Sequence, residues 1–260
     1  MPVARSTTPL LTGLLAAAAL LAGCAATTSR PADAETAQRR AQARLALASA
    51  YFENGQAQTA LEEVERALEA DPRSAPALGL RGLAQASLGL DGPAQASFEQ
   101  ALALAPQDAD LLHNFGWFLC QQRRWDESQA QLERALAQPG YRGRARSLLA
   151  LGVCQARAQR WDAAERPLAQ VLDLEPTNGA AALALAEVLL RRGDAEQARA
   201  QLQRARWSAA QADAPALWLA ARIEHRLGRH EAVQYLGREL RQRYPQAPQT
   251  LALDQGRFDD

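Results

Sequence analysis

The sequence predicts an all-α protein, a solenoid of about six stacked helix–turn–helix repeats. Three observations carry that expectation. Apolar residues recur at three- and four-residue spacing, the signature of one helical face. Short polar or glycine-containing turns interrupt these faces. The combined pattern then copies itself at a period of 34 residues: Gly55, Ala60, Ala67 and Pro72 return as Gly89, Ala94, Ala101 and Pro106. One period on, Ser128, Leu132 and Ala135 stand opposite Ala94, Phe98 and Ala101. The next copy is offset by 36, with Gly152, Ala164, Leu168 and Pro176, and with Trp161 matching Trp125. The shorter period then resumes at Ala198 and Leu202.

The clearest copy runs from Asp110 to Leu136. Leu111, Leu112, Phe115, Phe118 and Leu119 share one helical face. Gly116 interrupts that helix at about 1 kcal/mol relative to Ala, which implies a packing reason. The polar run Gln121 to Arg124 breaks the pattern, and Asp126 is placed to cap a second helix carrying Leu132, Ala135 and Leu136. Such a period, with a small residue midway through each helix and Pro at the exit, resembles the tetratricopeptide repeat. That resemblance implies a right-handed superhelix in which each repeat buries its apolar face against its neighbours.

The N-terminus carries a targeting segment over residues 1–23. Arg5 supplies a positive charge, and the apolar run Leu10 to Leu21 is too short for a stable bilayer span. The run ends Leu21-Ala22-Gly23-Cys24, which resembles a bacterial lipobox, with Cys24 as the lipidated first residue of the mature chain. An ordinary signal peptide cut near Ala25 or Ala26 is the other reading. Acyl chains on Cys24 would anchor the protein firmly. Ala25, rather than Asp, after the Cys resembles lipoproteins sorted to the outer membrane. Residues 24–40 are small and polar and read as a flexible tether.

The repeats occupy residues 41–246. In the first, Leu45, Leu47, Ala48 and Tyr51 lie on one helix and Ala60, Val64, Ala67 and Leu68 on the next. Asn54-Gly55 makes the turn and Asp71-Pro72 the exit. The second keeps Gly82, Gly89, Ala94, Phe98 and Pro106, with Pro93 at a tolerated first-turn position. The third departs at its end, where Pro139-Gly140 and Tyr141 suggest a protruding loop. The fourth is regular and repeats the Arg-Trp-Asp of the third, and Trp125 and Trp161 read as packing residues. The fifth, with Gly193, Ala198 and Leu202, exits loosely. The sixth, with Gly228, Ala232 and Leu236, is one residue short in its turn. Its Arg-rich last helix (Arg238, Arg241, Arg243) is expected to cover the open end of the stack, followed by a polar tail over residues 247–260.

Composition narrows function by exclusion. The 260 residues carry 29 basic and 29 acidic side chains, all the basic ones Arg, so there is no strong electrostatic case for nucleic acid. No metal-binding or catalytic spacing is present, and His113, His225 and His230 stand apart. No enzyme, cofactor, metal or small-molecule substrate is expected. The expected activity is protein binding in a concave groove lined by first helices. In the third repeat Phe115 and Gly116 match Leu151 and Gly152 on the packing stripe, which leaves His113 and Trp117, four apart, on the adjacent stripe. Trp117 is either a groove anchor or buried between repeats. Cys120 and Cys154 lie at similar levels on neighbouring first helices. In an oxidising periplasm they are expected to form a disulfide, the alternative being two buried thiols.

The lipobox Cys24, the short tether, about six repeats and the run Asn114-Phe115-Gly116-Trp117-Phe118-Leu119-Cys120 together resemble the type IV pilus biogenesis/stability lipoproteins, the PilF/PilW pilotin family. Leu151-Gly152-Val153-Cys154 and the run Arg243 to Pro248 add to it. In that family the third repeat commonly reads Asn-Asn-Tyr-Gly-x-Phe-Leu-Cys. Here His113 and Phe115 replace the first Asn and the Tyr. The resemblance implies an outer-membrane protein that helps the pilus secretin reach that membrane and assemble its ring. A lipoprotein adaptor for peptidoglycan enzymes, or for outer-membrane protein assembly, is the competing expectation.

Overall fold

A computed structural model describes residues 31–204 and 209–258. The targeting segment and Cys24 lie outside the described residues. Among the described residues twelve helices form six antiparallel pairs: α1 (Pro31–Glu53) with α2 (Ala57–Ala70), α3 (Ala75–Ser87) with α4 (Asp91–Leu104), α5 (Ala109–Gln121) with α6 (Trp125–Leu136), α7 (Arg144–Arg157) with α8 (Trp161–Leu174), α9 (Gly179–Arg191) with α10 (Ala195–Arg204), and α11 (Ala214–Arg226) with α12 (His230–Arg243). A thirteenth, α13 (Pro248–Asp254), follows. No strand occurs among the described residues. Each helix packs on the next in sequence, and each first helix also touches the first helix of the following repeat. This is a tetratricopeptide solenoid, with neighbour-only contacts throughout.

One small-to-large pairing holds every repeat together. Residues 16 apart in sequence face each other across the two helices of a pair: Ala48 and Val64, Gly82 and Phe98, Gly116 and Leu132, Gly152 and Leu168, Ala186 and Leu202, Ala220 and Leu236. All the large members are buried. A Cβ on Gly116 would lie 2.8 Å from Leu132 Cγ, and one on Gly152 2.5 Å from Leu168 Cγ. The mid-helix glycine thus trades about 1 kcal/mol of helix propensity for close approach of the two helices. Ser128 strengthens the third pair by donating from Oγ to the Gly116 carbonyl at 2.8 Å.

The turns inside the repeats need a left-handed residue. Gly55, Gly89, Gly193 and Gly228 supply it in four of them, with φ from 69° to 91°. The third and fourth repeats instead use Arg123 and Gln159, both at φ 59°. A non-glycine residue there costs roughly 1–2 kcal/mol.

Several elements depart from the expectations. Helix α1 begins at Pro31, inside the stretch read as tether. Pro suits a first helical position, and the following Ala, Glu, Gln and Arg are strong helix formers. Asp126 does not cap α6. Arg124 is the N-cap without a side-chain bond, and Asp126 sits in the first turn, paired with Arg160 at 2.7 Å. There its charge favours the positive helix end. The loop after α6 does not protrude at Tyr141, whose ring folds back so that its hydroxyl lies 2.9 Å from Ser147 Oγ. Trp125 and Trp161 are half-buried and pack against core clusters.

The C-terminal stretch is not merely a polar tail. Helix α13 packs on α11 and α12, the contacts a seventh first helix would make. Leu253 enters the space left by Gly237, where a Cβ would lie 3.0 Å from Leu253 Cδ2, and Thr250 Oγ1 donates to the Tyr244 carbonyl at 2.7 Å. So α13, not the Arg-rich face of α12, covers the end of the stack. Arg241 pairs with Asp254 at 2.8 Å to help hold it.

Candidate protein-binding groove

The first helices α5, α7 and α9 together shape an apolar cleft of about 250 Å³. Its walls are His113 and Trp117 from α5, Arg146, Leu149 and Val153 from α7, and Ala180 from α9. The repeat register explains the composition. Trp117, Val153 and Glu187 are equivalent positions on successive first helices, as are His113, Leu149 and Leu183. Three helices thus present matching rows side by side, in which Trp117, Leu149, Val153 and Leu183 are apolar and Glu187 is the charged exception.

Trp117 is half-buried, with one face toward the cluster of Cys120, Leu132, Ala150 and Cys154. The Arg157 guanidinium lies 5.3 Å from its ring centroid, a cation–π contact. Trp117 is therefore partly packing residue and partly cleft wall, not purely one or the other.

His113 lies deeper than a groove residue would. It is 7% exposed, and its Nδ1 stands 2.9 Å from Ser147 Oγ on α7. Tyr141 reaches the same Ser147 oxygen, so three side chains form one chain of hydrogen bonds across the third and fourth repeats. Burial pushes the His113 pKa down to about 4, helped by the nearby positive charge of Arg146. The imidazole is neutral at physiological pH, and its place is the seam between repeats, with one edge on the cleft. The spacing that put His113 and Trp117 on one stripe carried no information about depth. Only the approach of α7 buries one and half-exposes the other.

Cys120 and Cys154 are joined by a disulfide, with a Cα–Cα distance of 5.8 Å. The bond links α5 to α7 directly behind Trp117 and Trp125. Beside it lies a larger, polar hollow of about 700 Å³, lined by Gln121, Arg123, Trp125, Arg157 and Gln159. Sequence spacing did not single out this hollow. The signal available was the missing turn glycine in the third and fourth repeats, where Arg123 and Gln159 stand instead.

Among the described residues no group of three or more His, Cys, Asp or Glu is placed to hold a metal ion. No helix among them is long and apolar enough to cross a membrane.

Comparison with known proteins agrees with this architecture. Tetratricopeptide repeat models match residues 40–86, 75–108, 97–130, 115–179 and 155–223. An uncharacterized protein of Haemophilus influenzae is 27% identical over 147 residues, 56% of this chain and 82% of that protein. The type IV pilus assembly protein PilF of Pseudomonas aeruginosa is 27% identical over 149 residues, 57% of this chain but only 59% of that protein. Among solved structures, PilW, a widely conserved type IV pilus biogenesis factor, is 28% identical and superposes with a TM-score of 0.77, covering 82% of this chain and 97% of that one. The structure of Pseudomonas aeruginosa PilF gives 0.76 at 22% identity, covering 85% and 99%, which speaks for the shared fold.

Proposed function

We propose that this chain, which belongs to the tetratricopeptide repeat family, is a lipid-anchored factor of type IV pilus biogenesis that binds the pilus secretin. In this reading Cys24 carries the lipid and the address is the periplasmic face of the outer membrane. The groove of the middle repeats holds a secretin segment while the ring assembles. The likeness to PilW over most of both chains is the observation that carries the reading. The apolar cleft across three first helices supports protein binding as its mode, because a half-buried Trp beside aliphatic side chains is the composition of an interface anchor.

The test is secretin assembly in cells. Membranes from cells lacking the gene, and from cells carrying Cys24→Ala, are resolved on gels that preserve the detergent-resistant ring. The expected result is loss of the ring without the gene, and rings in the inner membrane with Cys24→Ala. Normal rings at the outer membrane in both strains would overturn the proposal and favour an adaptor of cell-wall or outer-membrane assembly.

A further inference from the structure

The apolar cleft and the polar hollow meet at one residue. Arg157 lies over the Trp117 ring at the edge of the cleft and also lines the hollow, one helical turn beyond Val153 on α7. Arg123 lines the same hollow from the turn that follows α5. The chain as a whole is charge-balanced, and most arginines along the stack are paired: Arg124 with Glu127, Arg146 with Asp110, Arg160 with Asp126, Arg192 with Asp162. Arg123 and Arg157, like Arg134 and Arg144, make no ion pair with a carboxylate among the described residues, but these two share one hollow, and no carboxylate is among the residues that line it.

Two further observations bear on this hollow. Arg123 and Gln159 occupy left-handed turn positions filled by Gly in the other four repeats, so both side chains are held there against a backbone cost. The protein also shows how this side of the solenoid takes an aromatic ring. After α13 the chain turns back and seats Phe258 on α11, its ring stacked on His225 with centroids 3.9 Å apart and tilted against Trp218 at 5.2 Å. Arg222 donates from Nε to the Phe258 carbonyl at 3.1 Å and pairs through Nη1 with Glu187, the register equivalent of Trp117.

We propose that the middle repeats recognise a polypeptide segment of defined chemistry: an aromatic or large aliphatic anchor with carboxylates about one helical turn away. The anchor enters the cleft between Trp117, Leu149 and Val153. The carboxylates lie in the hollow between Arg123 and Arg157. A turn of helix rises 5.4 Å, so anchor and acid stand three or four residues apart in a helical partner and two apart in an extended one. This inference rests on the proposed function only in taking the groove as the docking face, and it names what the partner segment must carry.

The experiment is selection of a displayed random-peptide library on the purified full-length chain carrying its disulfide. Parallel selections use Arg157→Glu and Arg123→Glu variants, each checked for unchanged helicity and thermal unfolding. Binding of selected peptides is then measured at low and high salt, also with Trp117→Ala. The expected pool is enriched in Phe, Trp or Leu with Asp or Glu at those spacings. Affinity should fall at least tenfold on Arg157→Glu, and selection on that variant should exchange the acids for Lys or Arg. A pool without acidic enrichment, the same acidic pool on both charge variants, or no enrichment at all overturns the proposal. Secretin assembly in cells is a separate readout. Lost rings with no acidic preference would sink this inference alone, and acidic peptides binding a chain that cells do not need for rings would sink only the pilus reading.

Discussion

His113 Nδ1 on α5 stands 2.9 Å from Ser147 Oγ on α7, a buried polar contact bridging two repeats. Its consequence is a pH dependence of stability. The folded state holds His113 neutral with a pKa of about 4, against about 6.5 in the unfolded chain. Between those values the unfolded state binds the extra proton. The contribution is therefore full above pH 6.5 and is lost as pH falls toward 4, amounting to roughly 3 kcal/mol at the acid limit. Denaturant unfolding from pH 7 to pH 4 should show this loss in the wild type. In His113→Gln the slope in that window should be clearly smaller, whatever the variant's absolute stability.

The small-to-large pairing predicts a sign opposite to helix propensity. Gly152→Ala should gain about 1 kcal/mol as a helix residue. It also drives a methyl to 2.5 Å from Leu168 Cγ and 3.3 Å from the Ala164 carbonyl, an overpacking costing about 1–3 kcal/mol. The net expectation is a destabilised protein. Gly92→Ala, at a helical glycine with nothing within 4 Å, is the control and should be neutral or stabilising. Thermal unfolding of the two variants checks the contrast, and equal midpoints would refute the packing argument.

The Cys120–Cys154 bond closes a loop with a sequence separation of 34. In the chain-entropy model that adds about 3–4 kcal/mol, mostly by restricting the unfolded state. Denatured, unreduced protein purified from an oxidising compartment should contain neither of these two thiols free. Cys120→Ser with Cys154→Ser should lower the denaturation midpoint by an amount matched by reducing the wild type. Two free thiols in the unreduced protein would contradict the bond.

Helix α13 acts as a seventh first helix without a partner, so its removal should damage the last repeat first. Leu253→Ala empties the space beside Gly237 and should cost about 2–3 kcal/mol locally, near the low end for a buried Leu. Hydrogen exchange should quicken in α11 and α12 and leave α3 to α6 nearly unchanged, as neighbour-only coupling requires. Uniform acceleration along the chain would mean that the solenoid unfolds as a single unit.

Much of this molecule was legible as sequence. The 34-residue period, the helix pairs, the mid-helix small residues and the turns follow from local patterns, because each repeat is a local unit that repeats its own contacts. The mid-helix Gly116 implies a close approach, and Leu132 makes it. The sequence does not mark the start of α1 at Pro31, because polar, Ala-rich sequence suits both a tether and an exposed helix. Nor does it mark α13, because a helix of seven residues carries too short a pattern to show a period.

The sequence by itself determined which residues share a helical face, and hence the solenoid, the candidate stripe of His113 and Trp117, and the matching levels of Cys120 and Cys154. Only the tertiary structure decided depth and partnership. It set His113 into the seam with Ser147 and Tyr141, half-opened Trp117 under Arg157, and brought Arg123 and Arg157 to one hollow. The physical reason is that a helical period specifies angle about one axis. How closely the next repeat approaches, and with what twist, is set by the packed side chains between the axes.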